Sequence, residues 1–96
     1  MALIIFVAYG SINASQLQSA IIHNAFNNIY KKYTIIWLYV DAPEHEKASK
    51  NLDLEKSVYK TNIQPYSVLL KNGKVIDKYD GFSILDLNKY RKFLKI

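Results

Sequence analysis

No cysteine occurs anywhere in this chain of 96 residues, and that one absence removes several chemistries together. There is no disulfide framework, no thiolate metal site and no thiol to attack or resolve a disulfide. Glycine is scarce, at three residues, and no glycine-rich loop of the kind that cradles phosphate is present. His23 and His45 are the only histidines. Neither has a second ligand at a metal-binding spacing, so both are expected to be surface or half-buried side chains and no metal is expected. Charge is nearly missing from residues 1–40, where Lys31 and Lys32 stand alone. The opening apolar run from Met1 to Ala8 is far short of a membrane span and lacks the positive region of a signal peptide. An intracellular location without a membrane segment is therefore expected.

What is present reads as one packed domain over residues 1–96. Half the residues are apolar and eight are tyrosines, a composition that argues against disorder. The net charge of +5 permits an acidic partner. Residues 71–96 hold seven basic and three acidic side chains, but without a basic run, and dispersed lysines usually form a solvated surface. Lys89, Arg91, Lys92 and Lys95 are read that way, and nucleic acid is not the expected partner. No repeat, linker or low-complexity segment divides the chain.

Leu3 to Ala8 and Thr34 to Val40 are unbroken apolar runs, as expected for strands covered on both faces. Between them residues 15–32 predict a helix. Leu17, Ile21, Ala25 and Ile29 form its stripe, and Ile22, Phe26 and Tyr30 widen it. Ser11, Asn13 or Ser15 could cap its start. Two such strands joined by a helix predict a right-handed parallel βαβ unit. Asp41-Ala42-Pro43-Glu44 reads as a helix start with Asp41 at the N-cap. Residues 43–60 then predict one or two amphipathic helices, with a break near Asn51 and with Glu44, Glu46, Asp53 and Glu55 on a solvated face. Val68-Leu69-Leu70 and Val75 to Tyr79 flank Asn72-Gly73, a strong hairpin signal because a type I′ turn needs φ > 0 at both central residues. Pro65 belongs at the entry of the first of these strands, since it donates nothing to a ladder. Ser83 and Asp86 resemble a capping box ahead of Ile84, Leu87, Tyr90 and Leu94 at helical spacing.

A proline at the entry of an apolar strand, a Lys-Asn-Gly turn, a return strand and Asp80-Gly81 together resemble the second half of a thioredoxin domain. The loop from Phe6 to Ala14 is similar to that family's active-site loop. Ser11 stands where the nucleophilic cysteine would be and Ala14 where the resolving one would be. The resemblance implies an α/β minimal thioredoxin fold, β-α-β-α-β-β-α, with a central mixed four-stranded sheet flanked by helices and a cis bond at Pro65. Val75 to Gly81 looks especially like the redox-inactive thioredoxin-like domain of multidomain monothiol glutaredoxins. Further departures agree with the missing cysteines. Ile5 occupies the place of the family's buried acid, Trp37 that of its partner lysine, and Gly10 that of the tryptophan before the first cysteine. The segment from Asp41 to Tyr59 is also longer than in ordinary thioredoxins, with no catalytic reason.

From this resemblance follows a binding groove of Tyr9, Gly10, Ser11, Ile12, Asn13, Gln64, Pro65, Tyr66, Gly81 and Phe82. In it the residue before the proline would offer its backbone to an extended peptide. The expected function is a non-catalytic protein or peptide interaction module, with no catalytic residue and no cofactor. The alternative is a thiol-disulfide oxidoreductase relative whose cysteines at positions 11 and 14 were replaced. Glutathione, held without exchange by the same backbone, is a third reading. Ser11 with His23 makes no nucleophile–base pair, since on one helix they would lie about 18 Å apart.

Overall fold

The computed structural model describes residues 1–41 and 47–96. Strands β1 (Ala2–Val7), β2 (Thr34–Tyr39), β3 (Tyr66–Lys71) and β4 (Lys74–Asp80) form a mixed sheet in the order β2-β1-β3-β4. β1 is interior, parallel to β2 with Ile5 beside Trp37, and antiparallel to β3 with Ile5 beside Ser67. Its side chains alternate between two cores. Leu3, Ile5 and Val7 join Leu17, Ile21, Phe26, Tyr90 and Leu94 on one face of the sheet. Phe6 meets Val40, Tyr66 and Val68 on the other. This two-sided burial is what an apolar run without alternation encodes. Ser67 is the polar exception at the sheet's centre, and its hydroxyl meets the Tyr90 hydroxyl at 2.6 Å.

The element order matches the expected β-α-β-α-β-β-α, with one correction in the first helix. Helix α1 (Ile12–Ile22) ends early and a short α2 (Ile29–Lys32) follows, in place of one helix over residues 15–32. Asn24 and Asn28 between them hold left-handed φ angles of 61° and 66°. Asparagine adopts that region more readily than most residues with a Cβ. Arg91 fastens the break by donating to Ala25 O at 2.8 Å, with its guanidinium over the Phe26 ring. Arg91 is therefore no simple solvated cation. The interruption also turns the helical face, so that Phe26 and Ile29 are buried while Ile22 and Tyr30 are exposed.

Helix α3 (Ala48–Val58) runs through Asn51 without a break, and the Asn51 amide donates to Tyr39 O at 2.8 Å. The helix start expected at residues 42–44 lies outside the described residues. Ser83 caps a 3₁₀ turn over Ile84–Asp86, accepting from Leu85 N, before helix α4 (Leu87–Leu94) begins. Tyr90, Phe93 and Leu94 bury the inner face of α4. The Gln64–Pro65 peptide bond is cis, and the β3–β4 turn has positive φ at both Asn72 (53°) and Gly73 (78°).

The turn provides a test of the hairpin. A Cβ at Gly73 meets no atom within 4 Å, so Gly73→Ala carries only the strain of a left-handed backbone. It is expected to lower stability by about 1 kcal/mol in urea unfolding. An unchanged midpoint would show that the turn does not hold the pairing.

Candidate functional site

The site lies where β1 ends, α1 begins and β3 enters the sheet, with Phe6 opposite Tyr66. Its organising atom is the Ser11 hydroxyl. Ser11 is the N-cap of α1: its Oγ accepts from Ala14 N at 3.1 Å and donates to Gln64 O at 3.0 Å. One side chain thus caps a helix and ties it to the segment before Pro65. Pro65 O in turn accepts from Gly81 N at 2.8 Å. The three segments expected to converge, around Ser11, Gln64–Pro65 and Gly81, are joined by these two bonds.

The expected groove residues divide by exposure. Tyr9 and Ile12 are 60% and 76% exposed and form an apolar rim, with Gly10 and Asn13 also exposed. Ser11, Gln64 and Gly81 are half-buried and Pro65 is buried. Tyr66 and Phe82 are corrections, because both are core residues that give no apolar area to a groove. Tyr66 faces the α3 side, beside Phe6 and Tyr59. Phe82 sits edge-on to Tyr90 on the opposite side. Tyr9 stacks on Tyr39 with ring centroids 4.7 Å apart, which fixes the rim's orientation.

Asp41 is a site residue that sequence reasoning placed elsewhere. The helix start it was expected to cap lies outside the described residues, and the N-cap position of α3 (Ala48–Val58) is held by Lys47 without a side-chain bond. The Asp41 carboxylate accepts from Tyr9 N at 2.9 Å and Gly10 N at 3.2 Å. With Ser11 capping Ala14, most donors at this helix entry are already satisfied. Only the Ile12 and Asn13 N–H groups stay uncapped by a side chain among the described residues. The Gln64 carbonyl, expected to be open, keeps one lone pair at most for a ligand. Beside these residues is an open cavity of about 390 Å³, lined on its far side by Leu52, Lys56 and Asn62.

Glu55 is the second residue the sequence hid. Expected on a solvated face, it is completely buried. Its Oε1 accepts from Gln64 Nε2 at 2.7 Å, and Oε2 has no hydrogen-bond partner among the described residues. Burial pushes this carboxyl up to about 7, against the opposing pull of the Gln64 bond and the Lys56 charge. The signal was the spacing: Ala48, Leu52 and Tyr59 stand at i, i+4 and i+11, which puts Glu55 at i+7 on the same inward face. Gln64 therefore binds Ser11 through its backbone and Glu55 through its side chain.

The raised carboxyl sets a pH dependence. A group bound more tightly to its proton when folded stabilises the fold fully below its unfolded value, and that contribution fades as pH rises through the folded one. For Glu55 the window runs from 4.5 to about 7, and the span corresponds to about 3 kcal/mol between the neutral and charged forms. Stability is expected to fall across this window. Glu55→Gln should flatten the profile and raise stability at pH 8, as measured by urea unfolding at a series of pH values. A parallel decline in the variant would assign the effect to other groups.

No protein-family model and no curated protein matches this chain. Its backbone is similar to solved thioredoxins. Thioredoxin O2 from Arabidopsis thaliana, in its oxidized state, superposes with a TM-score of 0.61 and 16% identity, over 95% of this chain and 71% of that one. The Malassezia sympodialis thioredoxin gives 0.62 and 16%, over 97% and 74%. The Schistosoma mansoni thioredoxin pre-protein gives 0.53 and 22%, over 96% and 77%. At these identities the likeness establishes the fold, and the fold is that of thioredoxin.

Proposed function

We propose that the chain is a non-catalytic thioredoxin-fold module that binds an extended segment of a protein partner along Tyr9–Asn13 and Gln64–Pro65. The observation that carries this reading is the Ser11 hydroxyl, held between Ala14 N and Gln64 O. At the position where a thiol would do chemistry, the side chain is used in joining two walls of the groove. Thiol-disulfide exchange needs an attacking thiolate and a second thiol, and neither Ser11 nor Ala14 supplies one. Ile5, fully buried between Trp37 and Ser67, carries no proton. Tyr9 and Ile12 offer apolar contact, and the uncapped N–H groups of Ile12 and Asn13 offer polar contact. This combination favours a peptide over glutathione, since among the described residues Lys56 is the one cation lining the adjoining cavity and Asp41 opposes it. The likeness of Val75 to Gly81 to the redox-inactive domain of monothiol glutaredoxins agrees with the proposal.

The test is affinity selection of short unstructured peptides on the immobilised protein. Ile12→Asp and Tyr9→Ala should each abolish retention of the selected peptides while leaving the circular dichroism spectrum unchanged. Retention should change little between about 50 and 200 mM salt, whereas a polyanion held by several phosphate contacts would lose orders of magnitude in affinity. Binding that survives both substitutions and collapses in salt would overturn the proposal.

A second reading, that cysteines at positions 11 and 14 were replaced in an active oxidoreductase, is addressed by restoring them. Ser11→Cys with Ala14→Cys is expected to reduce insulin disulfides poorly, because Ile5 relays no proton and Gly10 alters the loop. Robust turnover by that variant would favour the oxidoreductase.

A further inference from the structure

The two edges of the sheet are built on opposite principles. β4 carries Lys74, Asp77, Lys78 and Asp80 and faces a bulge between Leu69 and Leu70. Charges and bulges are the devices that keep an edge from pairing with another chain. β2, at the other edge, is Thr34-Ile35-Ile36-Trp37-Leu38-Tyr39, with no charge, no proline and no glycine.

The hydrogen bonding of β2 shows which groups look outward. Thr34 N donates to Met1 O at 2.9 Å and Val40 N to Val7 O at 3.0 Å. In a parallel pair, alternate residues turn their N–H and C=O to the same neighbour, so the even-numbered residues of β2 serve β1. The backbone groups of Ile35, Trp37 and Tyr39 point away from the sheet. Tyr39 O is covered by the Asn51 amide from α3. Ile35 and Trp37 have no such cover among the described residues, and Ile36 between them is 40% exposed.

We infer that β2 is a homodimerisation edge, pairing antiparallel with β2 of a second copy of this chain about a two-fold axis through Ile36. That register sets Ile35 opposite Trp37 of the other copy, and each such pair exchanges both N–H···O bonds. Ile36 meets its own mate as a non-hydrogen-bonded pair, the kind that brings side chains closest. The flanks are complementary under the same axis. Lys31, in α2 just ahead of one β2, lies on the same side as Asp41 just past the end of the other, and both are exposed. A self-complementary patch with opposite charges at its two ends is what an isologous interface requires.

Sedimentation equilibrium of the full chain, together with amide exchange, tests this inference. A reversible dimer is expected, with the Ile35 and Trp37 amides gaining protection as concentration rises. Ile36→Lys, at an exposed position, should weaken association about tenfold or more by placing like charges on the axis. Lys31→Glu should weaken it less. Val75→Lys, exposed on the opposite edge, should leave it unchanged. A single monomer mass up to millimolar concentration would overturn the inference. So would a dimer indifferent to Ile36→Lys, or full protection of Ile35 and Trp37 in the dilute monomer, which would mean that another segment already covers the edge.

Discussion

The burial of β1 on both faces is the constraint from which the rest of the structure follows. A strand paired on each side and covered above and below has no freedom to shift, because a slip of one residue would exchange the two cores. Leu3, Ile5 and Val7 belong to the side of α1 and α4, and Phe6 to the side of α3. The chain leaves the carboxyl end of β1 toward one face, while α3 packs the other. A crevice at the point where successive connections part is where α/β sheets place their ligands. The site is thus a consequence of topology before any polar side chain enters the account.

Sequence legibility followed how directly a residue's surroundings are encoded by its neighbours. The strands were readable because unbroken apolar runs admit few alternatives, and Asn72-Gly73 because its backbone demand is local. The break after Ile22 was obscured by an apolar stripe that continues through it. The Asn24, Asn27 and Asn28 cluster was the competing local signal, and it prevailed with help from Arg91, which lies far away in sequence. Tyr66 and Phe82 adjoin Pro65 and Gly81, so proximity in sequence suggested a groove. The pleat of the sheet and the packing of Tyr90 decided otherwise. Asp41 reads in the sequence as the cap of a helix start at residues 42–44, which lies outside the described residues; its bonds to Tyr9 N and Gly10 N link segments 31 and 32 positions apart, a contact that only the fold could reveal.

Glu55 shows how an acid can be structural in a chain with little acidic charge to spare. A buried carboxylate is costly unless it is paired or protonated. Here, among the described residues, one amide donor partners it and the other oxygen is left without one. The proton it tends to hold near neutral pH is the compensation. Because the same Gln64 meets Ser11 through its carbonyl, the charge state of Glu55 reaches the groove wall through one residue. Folding stability and groove geometry therefore share a group, although Glu55 does not line the cavity.

The place held by Ser11 shows in physical terms what a hydroxyl does where a helix begins. The first turn of a helix presents unsatisfied N–H groups and a partial positive charge, conditions that would stabilise a thiolate and make it reactive. A hydroxyl in that position does not ionise, so the same N–H groups make it a cap. Its own proton is then free to donate, and it goes to Gln64 O. The geometry that would activate sulfur turns oxygen into a tether between helix and strand. With the walls fixed in this way, the exposed part of the site is the rim at Tyr9 and Ile12, which is the surface the proposed binding of a partner would use. Recognition of the proposed kind would rest on shape, apolar contact and the Ile12 and Asn13 N–H groups, none of which calls for bond exchange.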